Sequence, residues 1–248
     1  MDTGAGGSIG SRIDDAGSLT VSNPGGVHER RFAYDNNGNL TSITSPGTPR
    51  ADRAYAYDPL DRLIHAQDYR GVTGYTYDDV GNRLTKTVDS LTENYAYVTG
   101  TNRLDMIAGT ETTSYTYDAN GNITGMGDKT LTYNQNNRLV MVEKESVVLG
   151  EYTYNGLGQR IVKKAEGVTT VFHYDFDGNI AGESALDGTF SREYLYYYSS
   201  RLAMADAGSG RIYTYGNDRL GTPETLLDSA NTVVWEGRYK PFGEVEVN

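Results

Sequence analysis

A Tyr-Asp pair returns at Tyr57-Asp58, Tyr77-Asp78, Tyr117-Asp118 and Tyr174-Asp175, about every twenty residues, and similar residues follow it each time. One copy reads Tyr34-Asp35-Asn36-Asn37-Gly38-Asn39-Leu40, another Tyr77-Asp78-Asp79-Val80-Gly81-Asn82-Arg83-Leu84. A fixed period in this range specifies a repeat architecture, in which each unit needs its neighbours to bury its apolar face. Anchored on the residue before the turn, the units fall at Tyr34, Tyr57, Tyr77, Tyr97, Tyr117, Tyr133, Tyr154, Tyr174, Tyr196 and Tyr215. Degenerate units flank them at Ile13 and Tyr239. The step from Tyr117 to Tyr133 is short, which predicts shortened strands around Gly125-Met126-Gly127.

Each unit reads as a β-hairpin. Tyrosines two apart, as at Tyr55 and Tyr57 or Tyr152 and Tyr154, put both rings on one face of a strand. Asp-x-x-Gly then fits a turn that Asp caps and Gly closes in a left-handed conformation. Gly38, Gly81 and Gly121 are expected to hold that conformation, and Asn can take it in place of Gly. After the turn alternation resumes, and Leu84, one residue later in its copy than Leu40, predicts a bulge or a longer loop. The fold class is all-β: about twelve hairpins in one continuous antiparallel sheet. At ~4.8 Å per strand a flat strip would reach on the order of 110 Å, so it must coil into a spiral or partial shell. A β-propeller is the rival arrangement, but it predicts odd–even differences between units that the sequence lacks.

Composition agrees and excludes alternatives. The 248 residues include 21 Tyr against 5 Phe and 1 Trp, with 30 Gly and 6 Pro, a mix suited to strands and turns. The net charge of −11 repels phosphate backbones, which argues against nucleic acid as a partner. Without Cys there is no disulfide or thiolate metal site. No apolar run has the ~20 residues that a spanning helix needs, so membrane insertion is not expected. The start, Met1-Asp2-Thr3-Gly4, lacks the features of a signal peptide. Either export uses no such signal or the chain is a fragment.

The repeat, together with Arg192-Glu193-Tyr194-Leu195-Tyr196, Asp218-Arg219-Leu220-Gly221-Thr222-Pro223, Val234-Trp235-Glu236-Gly237-Arg238-Tyr239 and Pro241-Phe242-Gly243-Glu244-Val245, resembles the Rhs, or YD-repeat, family and its Rhs-associated core. Arg219 stands where family members usually carry His. The resemblance covers nearly the whole chain and implies three segments: a flexible tail over 1–10, a YD-repeat array over 11–190, and core-like repeats over 191–248 that continue the sheet. It implies a hollow β-shell that, in bacterial polymorphic toxins and insecticidal toxin complexes, encloses a C-terminal toxic domain released by cleavage at an Asp-Pro-containing segment. Teneurins of animals share the repeat. The chain stops at Asn248, before such a segment, so the expected role is an encapsulating element of a secreted or cell-surface toxin-type protein, with no chemistry of its own.

The site residues are accordingly structural: Tyr34, Asp35, Gly38, Tyr57, Asp58, Tyr77, Asp78, Gly81, Tyr117, Asp118, Gly121, Tyr154, Gly158, Tyr174, Asp175, Gly178, Leu220, Gly221, Pro223, Trp235, Tyr239 and Gly243. No catalytic, cofactor or metal residue is expected. The loops Asp35–Asn39 and Asp118–Asn122 carry oxygens at alternate positions, as calcium loops do, yet the turn alone requires those residues. His28, His65 and His173 are too scattered for zinc. Arg62, Arg83, Arg103, Arg138 and Arg160 recur after the turns and predict a charge ladder with Asp or Glu on adjacent hairpins. Trp235 is expected to pack near the array's end. The expected partners are a C-terminal toxin cargo absent from this chain, and further copies of the chain paired through strand edges into a filament. A binding module is the alternative function, with exposed tyrosines and polar turns recognising a glycan or a cell-surface partner.

Overall fold

The computed structural model describes residues 10–13, 19–22, 30–45, 52–218 and 220–247. The chain divides into two compact units, Met1–Tyr115 and Thr116–Asn248. The first holds β1 (Gly10–Ile13), β2 (Leu19–Ser22), β3 (Arg30–Tyr34), β4 (Leu40–Thr44), β5 (Arg53–Tyr57), β6 (Leu63–Asp68), β7 (Gly71–Tyr77), β8 (Arg83–Val88), β9 (Leu91–Tyr97), β10 (Leu104–Ala108) and residues 112–115 of β11 (Thr112–Tyr117). The second holds β12 (Ile123–Met126), β13 (Lys129–Tyr133), β14 (Leu139–Lys144), β15 (Val147–Tyr154), β16 (Arg160–Ala165), β17 (Val168–Tyr174), β18 (Ile180–Ser184), β19 (Phe190–Tyr197), β20 (Ser200–Asp206), β21 (Arg211–Asn217), β22 (Pro223–Leu227), β23 (Val233–Tyr239) and β24 (Val245–Val247). No helix occurs among the described residues.

Within each unit every strand pairs antiparallel with the strands before and after it in sequence. The reason is local. Each turn joins two alternating segments too short to span anything but their neighbours, so a meander results. The expected short hairpin is there: β12 has four residues, and only Gly125↔Thr130 and Met126↔Lys129 pair across it.

The register corrects one reading of the turns. Tyr34 faces Leu40, Tyr57 faces Leu63 and Tyr77 faces Arg83, so the turns are equal in length. The ladder then skips a residue in all three, resuming at Ala33↔Ser42, Ala56↔His65 and Thr76↔Thr85. Leu84 is thus the bulged residue, 39% exposed, and not a sign of a longer loop. The same shift recurs before Tyr133, Tyr154 and Tyr174. The bulge beside each of these turns adds local twist to its hairpin.

Two anchors also shift. The hairpin after Tyr196 turns through Tyr198 and Ser199, with Tyr197↔Ser200 as its last pair. The next turn is closed by Asn217, which faces Pro223, so Asn217 and not Tyr215 holds the anchor place. Of the expected tail, residues 1–9 lie outside the described residues, while Gly10 opens β1. The residues between Ile13 and Leu19, and Arg219, are likewise outside them.

The two faces of the ladders differ. In β5 Tyr55 and Tyr57 are half-buried and Ala54 and Ala56 exposed. In β11 Thr113, Tyr115 and Tyr117 alternate in the same way with exposed neighbours. The exposed face of the first unit carries threonine pairs, Thr76 with Thr85 at 2.6 Å and Thr87 with Thr92 at 2.9 Å. Burial is thin: among the described residues, Phe32, Ile43, Ala66, Tyr75, Tyr95 and Met204 are the buried hydrophobic ones.

Candidate functional site

The side chains that distinguish this sequence converge along the turns. Asp35 starts one turn by accepting, through Oδ1, the backbone N–H groups of Asn37 and Asn39, and through Oδ2 the Asn39 amide. Asp78, Asp118 and Asp175 repeat this with Val80 and Asn82, Asn120 and Asn122, and Asp177 and Asn179. Asp58 does the same, with the Arg62 guanidinium in place of the amide. The side-chain amides of Asn39, Asn122 and Asn179, then the backbone N–H groups, hold Asp35, Asp118 and Asp175 below the ordinary carboxylate range. Gly38, Gly81, Gly121, Gly158, Gly178, Gly221 and Gly243 all have φ between 82° and 93°, which an L side chain resists.

Three turns of this type among the described residues close without Gly, at Asp61, Asn137 and Asn231. Asp61 and Asn137 take the left-handed place with φ of 59° and 56°. Their side chains do what Gly cannot: Asp61 accepts from the amides of Asn37 and Asn39, and Asn137 from those of Asn120 and Asn122. Each therefore ties its turn to the preceding one.

The repeat tyrosine makes the second tie. Tyr57 donates to the Leu40 carbonyl at 3.0 Å, Tyr77 to Leu63 at 2.7 Å and Tyr97 to Arg83 at 2.9 Å. In the second unit Tyr154 donates to Leu139 at 2.8 Å and Tyr174 to Arg160 at 2.9 Å. In every case the acceptor is the first residue of the previous return strand, beside the bulge. There the ladder stops short: β6–β7 pairing begins at His65↔Gly74, leaving Leu63 without a strand partner on that side. Asn217 donates its amide to the Arg201 carbonyl at 2.7 Å, a tyrosine-like reach from an anchor without a ring.

Arginine makes the third, and here the structure departs from the expected charge ladder. Arg83 lies over the rings of Tyr75 and Tyr95, Arg160 over Tyr152 and Phe172, and Arg201 over Tyr194, Tyr196 and Tyr215 at 4.4–5.6 Å. Arg62 and Arg138 stack on Tyr77 and Tyr154 and donate to the carbonyls of Asp78 and Gly158 in the next turn. The ion pair seen for Arg62 is with Asp58 of its own turn. Guanidinium is weakly hydrated and planar, so it fills the gap between rings where a carboxylate would be desolvated. The recurrence of Arg after several turns was visible in the sequence; its partner was not, because rings on neighbouring strands lie close only once register is fixed.

The remaining sequence-chosen residues have local roles. Pro223 begins β22, where no donor is lost. Leu220 is exposed at a turn tip. Trp235 is half-buried with its indole across Gly237, where a Cβ would collide with it. Tyr239 ends β23, and Gly243 closes the turn after it.

Sequence reasoning missed one pair, His173 and Ser184, whose Nε2 and Oγ are 2.9 Å apart. Ser184 is 2% exposed and donates to the Ala185 carbonyl, so it offers no accessible nucleophile. No group of three or more His, Asp or Glu residues able to hold a metal occurs among the described residues; His28 lies outside them.

A chain whose repeats fasten to one another by hydroxyl, guanidinium and turn amide is a shell-type β-repeat module. It belongs to the Teneurin YD-shell family, whose family model matches residues 14–248. The tRNA3(Ser)-specific nuclease WapA of Bacillus spizizenii is 30% identical over 195 residues, 75% of this chain and 8% of that protein. Double-stranded DNA deaminase toxin A of Burkholderia cenocepacia is 27% identical over 252 residues, 88% of this chain and 17% of that protein. Teneurin-1 of Gallus gallus is 28% identical over 222 residues, 86% of this chain and 7% of that protein. The chain thus spans less than a fifth of the length of each. Among solved structures, the crystal structure of TcdB2-TccC3 matches 96% of this chain and 15% of that chain, with a TM-score of 0.67 at 16% identity, a likeness of fold.

Proposed function

We propose that the chain is a wall segment of a hollow β-shell in a longer secreted or cell-surface toxin-type protein, and that the shell encloses a C-terminal cargo domain. The observation that carries this reading is where the distinctive side chains go. Repeat tyrosines, turn amides and arginines bond the neighbouring repeat, which suits a continuous wall more than a reacting pocket. In this reading the nuclease and deaminase activities named for the relatives belong to segments outside the matched one, and this chain contains rather than reacts.

The gene beyond Asn248 tests the reading first: an Asp-Pro-containing segment followed by an unrelated domain is expected. In the full-length product, Tyr57→Phe, Tyr77→Phe and Tyr97→Phe together should speed proteolysis of that domain without changing its activity once isolated. A domain digested equally fast with and without the hydroxyls would refute containment by this wall.

A further inference from the structure

Three Asn–Gly pairs occur in the chain, Asn37–Gly38, Asn120–Gly121 and Asn155–Gly156, and the fold treats them differently. Asn37 and Asn120 are the third residues of their turns, and both groups that could react are occupied. The Gly38 and Gly121 N–H groups donate to the Asp35 and Asp118 carbonyls at 3.1 Å, and the side-chain amides of Asn37 and Asn120 donate to Asp61 and Asn137. Asn155 instead opens its turn, in the place that Asp35, Asp58, Asp78, Asp118 and Asp175 hold in theirs. Its Oδ1 accepts from the N–H groups of Leu157 at 3.0 Å and Gln159 at 2.9 Å, and its Nδ2 donates to Gln159 Oε1 at 2.7 Å. Gly156 is exposed, and its N–H donates to no group among the described residues.

We propose that Asn155 is a self-modification site, at which the turn converts its own side-chain amide to a carboxyl group. The Gly156 nitrogen loses its proton to water and attacks Asn155 Cγ. As the Cγ–N bond forms, negative charge moves to Oδ1, where the two N–H donors of Leu157 and Gln159 already stand. The charge returns, the Cγ–Nδ2 bond breaks, and Nδ2 leaves as ammonia with a proton from water, giving a succinimide. Water then opens the ring. Attack at Cγ restores the ordinary backbone with Asp at 155, and attack at the main-chain carbonyl gives the isomer whose backbone runs through the side chain. The sum is amide plus water giving carboxylic acid plus ammonia, with no oxidant or cofactor. Gly at 156 leaves the attacking nitrogen uncrowded. The Asp product also fits the turn. Its Oδ1 keeps both N–H donors, and the Gln159 amide, once turned, can donate to the new Oδ2 as Asn39, Asn82, Asn122 and Asn179 do in their turns. The reaction carries a Tyr-Asn turn to the Tyr-Asp form of the other repeats.

The purified chain, aged at neutral and mildly alkaline pH and digested for mass spectrometry, reads amide loss at each Asn. Residue 155 should lose its amide several-fold faster than residues 37 and 120, and faster still as pH rises. In urea the three rates should draw together. Gly156 has no left-handed φ and nothing lies where a Cβ would go, so variants there should fold. Gly156→Ala should slow the loss several-fold. Gly156→Pro places a residue without an N–H where Pro59 stands in its own turn, and should abolish it. Asn155→Asp should melt at or above the wild-type temperature. Equal loss at 37, 120 and 155 in the folded chain, no loss at 155 while the unfolded chain loses amide there, unchanged loss in Gly156→Pro, or a lower melting temperature in Asn155→Asp would each overturn the assignment.

Discussion

Replacing Tyr77 with Phe isolates the tie that gives the repeat its tyrosine. The substitution keeps the ring, its strand position and its stacking under Arg62, and removes only the hydroxyl that donates to Leu63 at 2.7 Å. A hydrogen bond of this kind contributes about 1 kcal/mol net. The Leu63 carbonyl has no β7 donor to fall back on, because pairing there begins at His65↔Gly74. Leu63 is only half-buried, so water can reach the orphaned acceptor and hold the cost near 1 kcal/mol rather than at the full desolvation penalty. Tyr57→Phe, Tyr77→Phe and Tyr97→Phe touch three different carbonyls, so the triple variant should lose ~3 kcal/mol. Tyr133→Phe is the built-in control: its hydroxyl ties nothing, and its cost should stay within ~0.5 kcal/mol. Urea unfolding followed by circular dichroism, with an unchanged m-value, measures all of these. A triple variant within 0.5 kcal/mol of the wild type, or a Tyr133 variant as damaging as the Tyr77 one, would refute the claim that the hydroxyls fasten the repeats.

Arg201→Met should destabilise the protein by roughly 2 kcal/mol, because it removes a cation stacked on three rings and two hydrogen bonds to the Tyr196 hydroxyl; chemical denaturation reads this, and Arg201→Lys should recover only part of it. Gly81→Val should cost about 1–2 kcal/mol from its φ of 93° alone, since nothing lies where the new Cβ would go. Gly158→Ala should cost more than Gly81→Ala, because the Arg138 guanidinium occupies that space; paired melting curves compare them. Asp35, Asp118 and Asp175 have lowered folded-state pKa values, so their contribution is fully present above the ordinary carboxylate value and is lost as pH falls through the lowered one. An acid titration of stability should therefore fall below about pH 4, and the triple Asp→Asn variant should fall less steeply.

The period of the Tyr-Asp pair, the alternation beside it and the Asp-x-x-Gly turn were enough to specify antiparallel hairpins with left-handed closing glycines, because each depends on residues close in sequence. The same locality made the short β12 hairpin legible from one reduced spacing. The bulge was harder to read: Leu40 and Leu84 looked like turns of different length, whereas both chains of register skip one residue at the same place. Tyr215 looked like an anchor because it is a tyrosine before an Asp-bearing turn, yet pairing gives that place to Asn217. Above all, the partners of the tyrosine hydroxyls and of the arginines could not be read in advance. A hydroxyl 14 residues from its acceptor, or a guanidinium between rings of two other strands, meets its partner only after register brings neighbouring repeats within a few ångströms. Local chemistry chose the hairpin; the stacking of one hairpin on the next chose what its tyrosines and arginines hold.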